Sequence, residues 1–106
     1  MSLPAEIDVQ TSARLMSKGA VMVDVREPWE WAICQVAGSV FIPMREIPAR
    51  ANELPADKAL LILCQRGVRS RHVMNYLRSL GRDDVANVSG GILAWADEVD
   101  PTLAKY

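Results

Sequence analysis

The sequence predicts an α/β fold: an open, mainly parallel sheet of about five strands with helices on both faces. Apolar, largely β-branched runs at residues 21–25, 40–42, 59–63 and 85–88 alternate with segments of helical periodicity. The run 59–63 is apolar at every position, as in strands that a parallel sheet buries on both faces. The chain has 106 residues, of which 50% are hydrophobic and 24% charged, which suits one globular domain over residues 1–106.

The elements follow in order. Thr11 or Ser12 is placed to cap a first helix, with Ala13, Leu15 and Met16 on its apolar side and Gly19 as its stop. Residues 21–25 form a strand. Pro28 suits the first turn of a short helix that runs through Trp31 and Ile33. A second strand over 40–42 is closed by Pro43. Residues 45–53 are expected to coil into a helix with Pro48 in its first turn. After the strand 59–63, a helix carries Val73, Met74, Leu77 and Leu80 on one stripe and ends at Gly81. The strand 85–88 leads through the turn Gly90-Gly91 into a last helix over 92–98. Trp29, Trp31 and Trp95 read as packing residues.

Composition excludes several function classes. A formal net charge of −1 leaves no electrostatic footprint for nucleic acid or a membrane surface. No apolar run approaches the ~20 residues needed to cross a bilayer. Residues 1–6 lack the basic start and apolar stretch of a secretory signal, so the cytoplasm is the expected address. Two cysteines make no disulfide framework, and with one histidine they make no zinc site. That histidine, His72, falls off the core stripe beside Tyr76 and is expected to face solvent.

The chemistry concentrates at Cys64. The thiol ends the strand 59–63, the loop Gln65-Arg66-Gly67-Val68 follows, and Arg69 and Ser70 open a helix. Open α/β sheets place their sites at the carboxyl ends of strands. There the unpaired N–H groups and the positive end of a helix dipole stabilise an anion, so a thiolate is the expected working species. An inert packing cysteine is the competing reading, but it requires neither Gly67 nor Arg69. Arg66, Arg69 and Arg71 add local positive charge. Asp24 and Arg26 end the strand 21–25 on the same sheet edge. They form an ion pair or cap, or Arg26 lines the mouth of the site. Cys34 lies in a turn region, and it can pair with Cys64 only if their Cα atoms come within roughly 7 Å.

The loop Cys-x-x-Gly-x-Arg, followed by Ser70, resembles the active-site loop of rhodanese-type sulfurtransferases. The resemblance runs from about residue 20 to 106. Val23-Asp24-Val25-Arg26-Glu27 with Glu30-Trp31 is similar to the family's Asp-Val-Arg-Glu…Glu-Tyr element. Residues 36–43, Val-Ala-Gly-Ser-Val-Phe-Ile-Pro, are similar to its Ile-Pro-Gly-Ala-x-x-Ile-Pro, and Gly90-Gly91-Ile92-Leu93-Ala94-Trp95 to its closing Gly-Gly-x-x-Ala-Trp. The ending Val99-Asp100-Pro101-Thr102…Tyr106 resembles the rhodanese modules that close certain adenylyltransferase–sulfurtransferase fusions. Two departures stand out: Cys34-Gln35 replaces a common Gly-His, and Ala37 replaces Pro.

The resemblance implies that Cys64 is the catalytic nucleophile and forms a persulfide, moving sulfane sulfur from thiosulfate or a protein persulfide to a thiol or cyanide. It implies a donor-binding loop of Gln65, Arg66, Gly67, Val68, Arg69 and Ser70, with Arg26 added at the mouth. No metal or organic cofactor is implied. The partners are a small anionic sulfur donor and a thiol protein or sulfur carrier. Cell-cycle-type phosphatases of the same fold use a longer Cys-x5-Arg loop, whereas residues 65–68 place four residues between Cys64 and Arg69. A purely interacting module, known where the cysteine is lost, is the non-catalytic alternative.

Overall fold

The computed structural model describes residues 2–106. Strands β1 (Glu6–Ile7), β2 (Val21–Asp24), β3 (Val40–Phe41), β4 (Leu60–Leu63) and β5 (Val85–Val88) form one sheet in the order β1-β5-β4-β2-β3. Every neighbouring pair is parallel. The connections include helices α1 (Val9–Ser17), α2 (Pro28–Ile33), α3 (Ile47–Arg50) and α4 (Val68–Ser79), with α5 (Gly91–Glu98) after the last strand. This is the expected open α/β sheet.

Its centre is β4, hydrogen-bonded to β2 on one side and β5 on the other, with all four residues buried. The strand's alternation feeds two cores. Leu60 and Ile62 pack with Val23, Val25 and Val85 against Val73, Met74 and Leu77 of α4. Leu61 and Leu63 pack with Met22, Ala86 and Val88 against Ile92 and Trp95 of α5 and Val9 of α1. Both faces of β4 are therefore covered, which is why its sequence has no polar alternation. Among the described residues, no helix is long and apolar enough to cross a membrane.

Several local expectations are corrected. The fifth strand, β1, is too short to leave a periodic signal, and it moves the start of α1. Asp8 is the cap, its Oδ1 accepting the Thr11 N–H at 2.7 Å, while Thr11 and Ser12 lie inside the first turn. The segment 45–53 divides into two 3-10 turns, Met44–Glu46 and Ala51–Glu53, around the four-residue α3, because Pro48 brings no N–H to a longer helix. Leu80 caps α4 and is exposed, so the apolar stripe ends at Leu77. Trp95 is buried and Trp31 stacks on Phe41 at 4.7 Å between ring centroids, but Trp29 is 62% exposed.

The arrangement leaves β2, β4 and β5 releasing their chains at one edge of the sheet. From that edge come Arg26 and α2, Cys64 and α4, and Ser89 and α5.

Candidate active site

Cys64 follows β4 directly, and its side chain is 1% exposed, packed in the α4 core with Ile62 and Val73. The backbone then turns sharply so that Gly67, at φ 109°, caps α4 in the left-handed region where a side chain is strained. The turn directs the Gly67 N–H at Cys64 Sγ, 3.1 Å away. Ser70 Oγ, one turn into α4, lies 3.2 Å from the same sulfur. Thus the groups touching the sulfur are a peptide N–H and a neutral hydroxyl, at the positive end of a twelve-residue helix.

The pair Gly90-Gly91 belongs to the same construction. A Cβ at Gly91 would lie 2.6 Å from the carbonyl oxygen of Cys64, so only glycine permits the approach. That approach lets the Ile92 N–H donate to Cys64 O at 2.9 Å and the Leu93 N–H to Gln65 O at 3.2 Å. The first turn of α5 holds the loop backbone, while the first turn of α4 faces the sulfur.

Asn87 was not singled out in the sequence, although it is the one polar residue in the run 85–88. It is completely buried on β5. Its Oδ1 accepts the Ser70 hydroxyl at 2.5 Å, and its Nδ2 donates to Gly67 O at 3.0 Å and to Glu6 Oε1 at 2.9 Å.

The opposite flank of the loop is ionic. Arg69 donates to both carboxylate oxygens of Glu30, at 2.5 and 2.8 Å, and the Tyr106 hydroxyl donates to Glu30 Oε2 at 2.6 Å. Glu30 is 1% exposed. Burial pushes its carboxyl up, but hydrogen bonds from Arg69, Tyr106 and the Glu27 N–H outweigh it and hold it at about 2. Arg69 is raised in turn, chiefly by its hydrogen bonds to Glu30. Gln65 Nε2 donates to the backbone oxygen of Tyr106 at 2.8 Å. Glu30 and Tyr106 are further residues that sequence reasoning missed as parts of the site. Glu30 carried a signal as a carboxylate three residues after Glu27, the capping-box spacing realised in α2.

The structure corrects the expectation that Arg26 lines the mouth. Its side chain is completely buried. Nε and Nη2 bind the Asp24 carboxylate, Nη2 also donates to Cys34 O at 2.7 Å, and Nη1 faces Glu30 O and the Tyr106 hydroxyl. The ion-pair reading of Asp24 and Arg26 is the observed one. Of the remaining loop residues, Arg66 and Val68 are exposed, and Arg66 has no ion-pair or hydrogen-bond partner among the described residues. His72 is exposed, as expected. Both cysteines are free, and Cys34 packs in the α5 core, on the other face of the sheet from Cys64.

Such an arrangement suits a sulfur anion: one aimed N–H, a helix mouth, a neighbouring hydroxyl and, exposed on the same loop, an arginine with no partner among the described residues. Comparison with known proteins agrees with it. The sequence profile of the Rhodanese-like domain matches residues 8–98. A sulfurtransferase of Allochromatium vinosum is 35% identical over 101 residues, covering 93% of this chain and 94% of that one. The probable adenylyltransferase/sulfurtransferase MoeZ of Mycobacterium tuberculosis is 33% identical over 87 residues, 80% of this chain but only 22% of that protein. The crystal structure of a rhodanese-like domain protein from Staphylococcus aureus superposes with a TM-score of 0.80 at 34% identity, covering 97% of this chain and 99% of that chain. The profile spans most of the chain and the relatives agree with it, so this chain belongs to the rhodanese-like family.

Proposed function

We propose that residues 1–106 work as one cytoplasmic sulfurtransferase unit in which Cys64 carries sulfane sulfur as a persulfide. The Cys64 thiolate attacks the outer sulfur of thiosulfate, a new S–S bond forms, and the donor's S–S bond breaks with its electron pair leaving on sulfite. The terminal persulfide sulfur keeps the negative charge. An acceptor thiolate or cyanide then attacks that sulfur and takes it as a new persulfide or as thiocyanate, and the Cys64 thiolate is restored. A protein persulfide can stand in place of thiosulfate, and a thiol protein or sulfur carrier in place of the small acceptor. The fused adenylyltransferase of the MoeZ relative makes the carrier a natural acceptor class.

The observation that carries this reading is the Gly67 N–H aimed at Cys64 Sγ from the mouth of α4. Within the loop, Gly67 supplies the turn and Ser70 the hydroxyl beside the sulfur, while Gln65 ties the loop to the Tyr106 backbone and Val68 opens α4. Arg66 attracts the anionic donor at the rim, and Arg69 frames the loop through Glu30. Four residues between Cys64 and Arg69 enclose a single sulfur atom more closely than a phosphate tetrahedron.

Intact mass spectrometry after thiosulfate treatment tests it. The expected result is a gain of one sulfur atom by the wild-type protein and none by Cys64→Ser. Turnover of aryl phosphates by the wild-type protein, abolished by Cys64→Ser, would replace this reading with phosphatase chemistry.

A further inference from the structure

Asn87 touches neither solvent nor sulfur, yet both groups that contact the sulfur are tied to it. Its orientation is unambiguous. Nδ2 faces two oxygens that can only accept, the Glu6 carboxylate and the Gly67 carbonyl, so Oδ1 must face Ser70. Because Oδ1 is purely an acceptor, the single Ser70 hydroxyl proton points at Asn87, and Ser70 presents its oxygen to Cys64. The other Asn87 bond holds the carbonyl of Gly67, whose N–H donates to the sulfur.

Glu6 anchors the amide from outside. Its carboxylate also accepts from Ser89 Oγ at 2.7 Å and from Arg71 Nε at 2.9 Å, so three elements meet on it. Burial raises its carboxyl, and bonds from Arg71, Ser89 and Asn87 outweigh this and keep it below the ordinary value, hence ionised. A chain of contacts therefore runs carboxylate, amide, hydroxyl, sulfur. Glu6 precedes the segment 8–98 that matches the family profile.

We propose that Asn87, anchored by Glu6, is a positioning residue of the sulfur site that sets the Ser70 and Gly67 contacts to Cys64 together. The assignment rests on Cys64 being the sulfur-carrying residue. With the amide in place, a persulfide forms and is discharged without rearrangement of the loop. When Cys64 is a thiolate, the Ser70 hydroxyl is the one neutral group within reach that can turn to it, and Asn87 competes for that proton. Asn87 thus governs how readily the sulfur is presented, while donor capture stays with the rim.

The test is a double-mutant cycle on the full chain with Asn87→Ala, Ser70→Ala and the pair, plus Glu6→Ala, whose side chain is exposed and whose loss spares the core. Two rates are read: thiosulfate:cyanide sulfur transfer, and alkylation of Cys64 by iodoacetamide in the Cys34→Ser background. Losing two buried hydrogen bonds is expected to lower kcat for Asn87→Ala about tenfold, with KM for thiosulfate within about twofold. In the Ser70→Ala background the same change is expected to cost about threefold or less, because the route through Ser70 is already cut. Glu6→Ala is expected to change kcat in the same direction by about threefold. Factors that simply multiply in the double variant, or a change confined to KM or to melting temperature, would overturn the positioning role. If the wild-type protein fails to take sulfur from thiosulfate, the alkylation cycle still decides. Coupling between Asn87 and Ser70 there supports the network alone, and independence refutes it.

Discussion

Cys34 and Cys64 are both free, both buried, at 9% and 1% exposure, and both accompanied by arginine, yet only one is built to react. The polar group within reach of the Cys34 thiol is Arg26 Nη1, at 3.9 Å. That guanidinium is neutralised by Asp24 and bound as well to Cys34 O, Glu30 O and the Tyr106 hydroxyl, so it has nothing left for a sulfur anion. Cys64 has a peptide N–H at 3.1 Å, a hydroxyl at 3.2 Å and the mouth of α4. Burial does not distinguish them, and neither does the presence of a cation. The difference is whether a donor, here the Gly67 N–H at a helix mouth, is aimed at the sulfur and left uncompensated by a neighbouring anion.

Exchanging the two thiols gives the largest expected effect. Cys64→Ser is expected to remove sulfur transfer entirely, because a hydroxyl forms no persulfide, whereas Cys34→Ser keeps most of the wild-type rate in the thiosulfate:cyanide assay. Activity that survives the first change and disappears with the second would reverse the comparison.

How far the sequence could have told the two apart follows from what each thiol touches. The Cys64 contacts arise within six residues of it, from a strand end, a glycine and a helix start, and such local features are legible as spacing. The four strands found by periodicity lie within a residue of their observed bounds at each end, because buried parallel strands carry uninterrupted apolar runs. Arg26 was misjudged because its surroundings are assembled from distant segments. Tyr106 lies eighty positions away in the chain and Cys34 eight, and no spacing rule joins them. Asn87 and Glu30 escaped for the same reason: their partners Ser70, Glu6, Arg69 and Tyr106 meet them only after the sheet is ordered. Leu80 and Thr11 were errors of element ends, where one short strand or one turning glycine moves the boundary.

The ionic flank sharpens the contrast at a smaller scale. Glu30 is fully desolvated and holds Arg69 across the loop, so Arg69→Ala leaves a buried carboxylate with only Tyr106 and a backbone N–H. Urea titration is expected to record a loss of about 3 kcal/mol at neutral pH. The pH dependence has a definite sign. The folded carboxyl titrates at about 2 against an ordinary value of 4.5, so its contribution is complete above 4.5 and is lost as the pH falls toward 2. That depression corresponds to about 3 kcal/mol in the wild-type protein. The acid limb of stability is expected to flatten in Arg69→Ala, and an unchanged limb would mean that another carboxylate controls it.

The smallest expected effect concerns the rim and separates the two loop arginines. Arg69 has both Nη groups on Glu30, so its charge is largely cancelled where a donor would approach. Arg66 is exposed and unpartnered among the described residues. If uncompensated charge is what distinguishes the reactive thiol, Arg66 rather than Arg69 sets the capture of thiosulfate. Arg66→Ala is expected to raise KM about threefold to fivefold, the scale of an exposed charge contact, with kcat and melting temperature nearly unchanged. Salt provides the discriminating measurement, since an exposed charge is screened beyond about 10 Å at 0.1 M ionic strength. Wild-type KM is expected to climb with added salt, and the Arg66→Ala value to stay nearly flat. A salt response that persists in Arg66→Ala and disappears in Arg69→Ala would show that the Glu30 pair opens to receive the donor, and would move the anion-binding role back to Arg69.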